Sequence, residues 1–128
     1  MNFLFSSLVV FCGAGLGGLL RYAVSRAALA LGVAFAWSTL LVNVTGCLMM
    51  GVIAGWFALR REGSGLAVQM FLTTGVLGGY TTFSAFSLEV ALFYERGQLG
   101  VAALYVFASV LASLLGVFVG LGVIRSQF

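Results

Sequence analysis

Long apolar runs follow one another along the chain and are separated by only a few charged positions. The runs cover residues 1–20, 27–59, 63–88 and 97–124. Each approaches or exceeds the roughly 20 residues that cross the hydrocarbon core of a bilayer as a helix. The pattern therefore predicts an all-α membrane protein: one transmembrane domain, residues 1–128, with four membrane-spanning helices. Their predicted bounds are about 3–29, 37–59, 66–94 and 99–124.

The third run contains a stretch that an unbroken membrane helix does not favour. Gly78 and Gly79 are followed by eight positions, Tyr80 to Ser87, of which five carry hydroxyl groups. Non-helical backbone at membrane depth is tolerated only inside protein or along a polar path, because hydrocarbon offers no partner for a free N–H or C=O. The chain has no proline, so glycine and local polar chemistry must produce any break. We expect a third helix that is broken near its middle, with an ion site at the break.

Glycines recur four positions apart in each predicted helix. The four pairs are Gly13/Gly17, Gly51/Gly55, Gly75/Gly79 and Gly116/Gly120. Small residues at this spacing let membrane helices approach closely. The pairs predict tight helix packing.

The composition narrows the possible functions. Hydrophobic residues make up 62% of the chain and charged residues 7%, which exceeds the apolar content of soluble domains. The six arginines are scattered mostly near helix ends, which indicates membrane anchoring and argues against a nucleic-acid partner. Lysine, aspartate and histidine do not occur, which argues against an enzyme, and Cys12 and Cys47 are expected to be packing residues.

The arginine distribution gives no preferred orientation in the membrane. Arg60, Arg61 and Arg125 fall on one side, and Arg26 and Arg96 fall on the other, where Arg21 could join them by extending outward. A chain that inserts in both directions would show this balance. An antiparallel, dual-topology homodimer is our hypothesis. A single orientation, set by a partner or by a weak bias, stays open as the alternative.

The polar groups at membrane depth are mainly neutral hydrogen-bond donors. Such donors modestly favour an anion, because they can bind it without the trap of a full opposite charge. Phe83 and Phe86 lie three positions apart after the break, where ring edges turned inward would suit a small anion. Ordinary core packing would explain the two rings as well. The carbonyls freed by the break would suit a buried cation such as Na⁺.

Two further features carry polar side chains into the predicted helices. Tyr105, Ser109 and Ser113 form one polar stripe on the fourth helix, which indicates a donor track, although membrane serines often bond to their own helix. Asn43 lies deep in the second helix, where it either joins helices together or lines a path.

The chain resembles the Fluc (CrcB) family of fluoride channels over its whole length. The resemblance rests on three segments: Gly75-Val-Leu-Gly-Gly-Tyr-Thr-Thr-Phe-Ser-Ala-Phe-Ser87, Thr39-Leu-Leu-Val-Asn-Val-Thr-Gly46 and Gly17-Gly-Leu-Leu-Arg21. It implies an antiparallel homodimer in the bacterial inner membrane, with passive fluoride export that lowers fluoride toxicity in the cytoplasm. It also implies a structural Na⁺ that is not transported. Ala85 departs mildly from the family pattern, where a hydroxyl residue is common.

The resemblance also assigns residues by position. By position it carries over the fluoride-pore residues Asn43, Phe83, Phe86, Tyr105, Ser109 and Ser113. Thr82 and Ser84, the hydroxyl residues that flank Phe83, complete the expected pore. The backbone carbonyls of Gly78 and Thr81 would hold the Na⁺. Arg21 and Glu89 are candidates for the vestibule, and Glu89 could simply be a hydrated carboxylate near a helix end.

Two rival functions remain at this point. A small proton-coupled multidrug exporter would use Glu89 as its membrane carboxylate, although exporters of that class carry theirs in the first helix, where this chain has only arginines. A subunit that packs without transporting would explain the glycines but not the hydroxyl-rich break.

Overall fold

A computed structural model describes residues 2–59 and 65–127 of the protein. Its long helices are α1 (Phe3–Ala30), α2 (Phe35–Leu59) and α6 (Leu99–Arg125). The third span, Leu66–Glu95, is made of several pieces. All four spans are long and apolar enough to cross a membrane, and the described ranges contain no strand. The all-α fold with four spans is confirmed.

The helix bounds differ from the predicted ones by one or two residues. The largest difference is at α2, which begins at Phe35 and not at position 37. Gly32 and Gly97, in the turns that follow the first and third spans, have φ of 73° and 71°, a conformation that favours glycine. Arg60 and Arg61, which entered the charge count, lie outside the described residues.

The third span changes its backbone geometry four times. Helix α3 (Leu66–Met70) continues as a π-helix over Phe71–Leu77 and then as a short turn, α4 (Gly78–Tyr80). Two extended residues follow, and α5 (Phe83–Glu95) completes the span. The predicted break is therefore present.

The break lies at threonines and not at glycines. Thr81 has φ −81° and ψ 158°, and Thr82 has φ −152° and ψ 119°, whereas Gly78 and Gly79 are helical. The glycines serve packing instead, since a Cβ at Gly79 would meet the Ala14 carbonyl oxygen. The hydroxyl-bearing residues of this stretch thus contribute the extended backbone.

The glycine pairs allow close packing of α1 on the third span and of α2 on α6. A Cβ at Gly13 would lie 2.7 Å from the Phe71 carbonyl oxygen, so α1 packs backbone to backbone on the π-helix. A Cβ at Gly51 would meet the Val117 carbonyl oxygen, and one at Gly120 would meet that of Leu48, which brings α2 and α6 together. The prediction of close packing is confirmed. The two helix pairs place the break of the third span between α1, α2 and α6.

Candidate functional site

The Asn43 side chain joins α2 to the break. Its Oδ1 accepts a hydrogen bond from the Thr82 amide at 2.8 Å, and its Nδ2 donates to the Thr82 carbonyl at 3.0 Å. One carboxamide therefore satisfies both backbone groups of an extended residue at membrane depth, where an unpaired group is costly. Nδ2 carries two hydrogens, so a second donor remains beyond this contact.

The break releases carbonyl oxygens at the end of α4. In an unbroken helix the amides of Thr82 and Ala85 would donate to the carbonyls of Gly78 and Thr81, four residues earlier. The Thr82 amide donates instead to Asn43, and the Ala85 amide donates to Thr82 Oγ1 at 3.2 Å. Thr82 is thus the N-cap of α5. Within the described residues, the two carbonyls expected to hold Na⁺ thus lack the amide donors that a continuous helix would give them.

A cavity of about 240 Å³ lies beside the break. Its lining residues are Asn43, Cys47, Thr81, Thr82, Phe83, Phe86, Ser109, Val110 and Ser113. Six of the eight residues predicted to form the pore are in this set. The structure thus brings α2, the break, α5 and α6 together around one space.

The two phenylalanines are in contact but differ in exposure. Their ring centroids lie 5.4 Å apart with the planes tilted by 49°. Phe86 is buried at 8% exposure, whereas Phe83, the first residue of α5, is 77% exposed. Phe86 therefore belongs to the wall within the chain, and Phe83 stands at the open side of the cavity.

The polar stripe of α6 divides into two parts. Ser109 Oγ is buried without a hydrogen-bond partner among the described residues, and Ser113 likewise makes no side-chain hydrogen bond there. Other hydroxyls behave as membrane serines and threonines commonly do: Ser87 donates to the Phe83 carbonyl at 2.9 Å, and Thr73 donates to the Gln69 carbonyl at 2.8 Å. The two α6 serines therefore place hydroxyls beside the cavity, that of Ser109 next to the Tyr105 hydroxyl.

The Tyr105 hydroxyl binds Glu89 and not the cavity. It donates to Glu89 Oε2, and the Tyr105 ring packs on Phe86 with centroids 5.5 Å apart. The residue is 1% exposed and does not line the cavity. Since a phenol has a single proton, Tyr105 has none left for an ion in this arrangement. Its placement suits the support of the Phe86 ring.

Glu89 is not a hydrated carboxylate at a helix end. It lies in the middle of α5, is 8% exposed, and accepts a hydrogen bond from Thr39 Oγ1 at 2.7 Å in addition to the one from Tyr105. The carboxylate thus connects α2, α5 and α6 inside the protein. This placement differs from the expected solvated vestibule group. Thr39 of α2 and Tyr105 of α6 take the place of water at the carboxylate, and neither donor is close to Glu89 in sequence.

Arg21 lines a second cavity of about 270 Å³ between α1, α2 and the start of α5. Thr39, Thr82 and Ala85 also line it, so Thr82 borders both cavities. Ser84 lines neither cavity, and its hydroxyl lies 3.2 Å from that of Thr82. The arginine is therefore placed at an approach to the break.

Three residues of the site region were not predicted. Cys47 and Val110 line the first cavity, and Thr39 binds Glu89. Thr39, Asn43 and Cys47 lie four positions apart on α2, so helical spacing from Asn43 would have identified the first and last of them.

Comparisons with known proteins agree with one another. Residues 8–121 match the family described as "CrcB-like protein, Camphor Resistance (CrcB)". A relative from Methylobacterium sp. (strain 4-46), named "Fluoride-specific ion channel FluC", is 53% identical over 94% of this chain and 96% of its own length. A protein of the same name from Rhodopseudomonas palustris (strain BisB5) is 52% identical over 93% of this chain and 96% of its own length.

Proposed function

The chain belongs to the CrcB family, and from this premise we propose that it is a fluoride-specific ion channel. Relatives that match nearly the whole chain carry that name. The protein is a multi-pass bacterial membrane protein and a channel, not an enzyme. The observation that carries the proposal is the cavity at the break, where the hydroxyls of Ser109 and Ser113 make no hydrogen bond with described residues.

The chemistry of this cavity suits a small anion that sheds part of its water. Ser109, Ser113 and the second Nδ2 hydrogen of Asn43 supply neutral donors, which bind an anion without the trap of a full positive charge. The positive edges of the Phe83 and Phe86 rings would add to this. Helix α5 begins at the break, and the positive end of its dipole lies there. Fluoride would move down its electrochemical gradient, so net export requires no coupled energy source.

A second copy of the chain completes the site in this proposal. Phe83 at 77% exposure and the exposed Gly78 lie on the side of the break that the chain itself does not cover. Backbone that departs from a helix must be covered by protein or line a water-filled path. The near-balanced arginines support an antiparallel copy, which would bring two breaks together at a two-fold axis.

A structural Na⁺ at that axis fits the residues present. The carbonyls of Gly78 and Thr81 are hard oxygen ligands, and the amides that a continuous helix would direct to them are bonded elsewhere. The cation would supply positive charge that holds four carbonyls of two subunits together. The Gly78 and Thr81 carbonyls of this chain would contribute two of them.

The exporter that would use Glu89 is disfavoured by the site. Such an exporter needs a carboxylate that its substrate and protons can reach, whereas Glu89 is buried and accepts hydrogen bonds from two hydroxyl groups.

Efflux from liposomes that hold the purified protein tests the function. A fluoride electrode should record rapid fluoride release once a counter-ion path is opened, and a chloride electrode should record none above that of empty liposomes. Equal release of both ions, or no fluoride release, would refute the proposal.

A further inference from the structure

Two side-chain oxygens replace the two carbonyls that the proposed cation would use. Asn43 Oδ1 takes the amide of Thr82 at 2.8 Å, and Thr82 Oγ1 takes the amide of Ala85 at 3.2 Å. In a continuous α-helix these amides would donate to Gly78 and Thr81. The replacements therefore correspond one to one with the carbonyls that must stay free.

The Asn43 contact also holds the extended backbone of the break in one orientation. Its Nδ2 also donates to the Thr82 carbonyl at 3.0 Å, so both polar groups of the side chain hold one extended residue. The break can come this close to α2 because position 46 lacks a side chain: a Cβ there would meet Thr81 Cγ2 and lie 3.2 Å from Tyr80 Cδ1. An anchor 39 residues away in sequence thus prevents the third span from closing into a helix.

We infer that Asn43 and Thr82 are positioning residues of the cation site, which hold the Gly78 and Thr81 carbonyls free by capturing their helical donors. The inference rests on the proposed structural Na⁺. Asn43 would then have a second role besides lining the fluoride cavity. Because the same side chain borders the cavity and holds the break open, the fluoride path and the cation site would be coupled.

Na⁺-dependent thermal stability of the detergent-solubilised protein tests this without recourse to flux. A bound ion stabilises the folded state in proportion to the logarithm of its concentration above its Kd. We would titrate Na⁺ against N-methylglucamine at constant ionic strength and one protein concentration, and obtain an apparent Kd from the unfolding midpoints. The variants are Asn43→Leu, which keeps the volume, and the pair Thr82→Val and Thr82→Ser, which removes or keeps the hydroxyl.

Asn43→Leu and Thr82→Val should each raise the apparent Kd for Na⁺ about tenfold, because a freed amide competes for the carbonyl. Thr82→Ser should keep the response of the unmodified protein. Thr45→Val is the matched control: its hydroxyl lies 3.0 Å from that of Tyr80 at the same break, but it binds neither captured amide. If Asn43→Leu fails to fold, the Thr82 pair decides the test.

Unchanged Kd values in Asn43→Leu and Thr82→Val would overturn the inference and leave the cation proposal standing. An equal shift in Thr45→Val would overturn it too, because general loosening would then explain the effect. An unmodified protein that does not respond to Na⁺ would refute the cation and this inference together. Fluoride efflux from the same preparation would then still support the channel.

Discussion

The Tyr105→Phe substitution separates support of the pore wall from donation to the ion. It removes one hydroxyl and keeps the ring, which contacts Phe86 at 5.5 Å and Phe93 at 5.7 Å between centroids. Glu89 would lose one of its two donors and keep Thr39 at 2.7 Å. A buried acceptor that loses its donor costs about 1–3 kcal/mol, so we expect the free energy of unfolding to fall by that amount.

Reversible unfolding by sodium dodecyl sulfate, followed by circular dichroism, measures this loss. The control is Tyr94→Phe, since Tyr94 is 68% exposed, and its effect should stay within about 0.5 kcal/mol. A double-mutant cycle with Thr39→Val measures the interaction energy between the two donors. The two donors share one carboxylate, so removal of both should cost about 1 kcal/mol more than the sum of the single changes.

Fluoride efflux per folded channel should change little in Tyr105→Phe, because the phenol proton already faces Glu89. A loss of stability below about 0.5 kcal/mol would show that the Glu89 contact is not as the structure places it. A large loss of efflux at unchanged stability would refute the reasoning that Tyr105 has no proton to offer.

Substitutions of glycines in α1 and of the two phenylalanines test the helix packing and the cavity wall. Gly17→Ala should destabilise the protein by about 1–3 kcal/mol, because its Cβ would meet the Val76 carbonyl oxygen, whereas Gly18→Ala has no atom within 4 Å and should be neutral or slightly stabilising in the same unfolding assay. A decrease of equal size at both positions would contradict the packing of α1. Phe86→Ile should lower both stability and efflux, while Phe83→Ile, at an exposed position, should lower efflux with little change in the stability of the chain itself. Unchanged efflux in both would remove the rings from the path.

The sequence predicted the features of this fold that depend on local patterns. Four apolar runs of spanning length predict four helices, and glycines four apart predict the close contacts that Gly13 and Gly51 make. The break was predicted from the hydroxyl-rich stretch, but it was assigned in part to Gly78, and the structure places it at Thr81 and Thr82. Glycine is compatible with both a helix and a break, so the sequence alone could not decide between them.

Contacts between distant residues could not be predicted. The bonds from Asn43 to Thr82 span 39 residues, and the bond from Thr39 to Glu89 spans 50. Nothing local shows that an amide will bind backbone or that a carboxylate will be buried between two hydroxyls. For the same reason the stripe on α6 looked uniform in sequence, although Tyr105 is committed to Glu89 and Ser109 is not.

The fluoride path should run through the cavity beside the break, and Ser109→Ala removes one hydroxyl from the wall of that cavity. The Ser109 hydroxyl is buried without a partner among the described residues, so its removal should leave the free energy of unfolding nearly unchanged. We expect fluoride efflux from liposomes to fall about tenfold, the loss of one donor that the ion would use. Ser38→Ala is the matched control, because that serine is also buried and donates to the Phe35 carbonyl at 2.7 Å. Its efflux should be unchanged. Unchanged efflux in Ser109→Ala, or an equal fall in both variants, would show that fluoride does not pass the Ser109 hydroxyl.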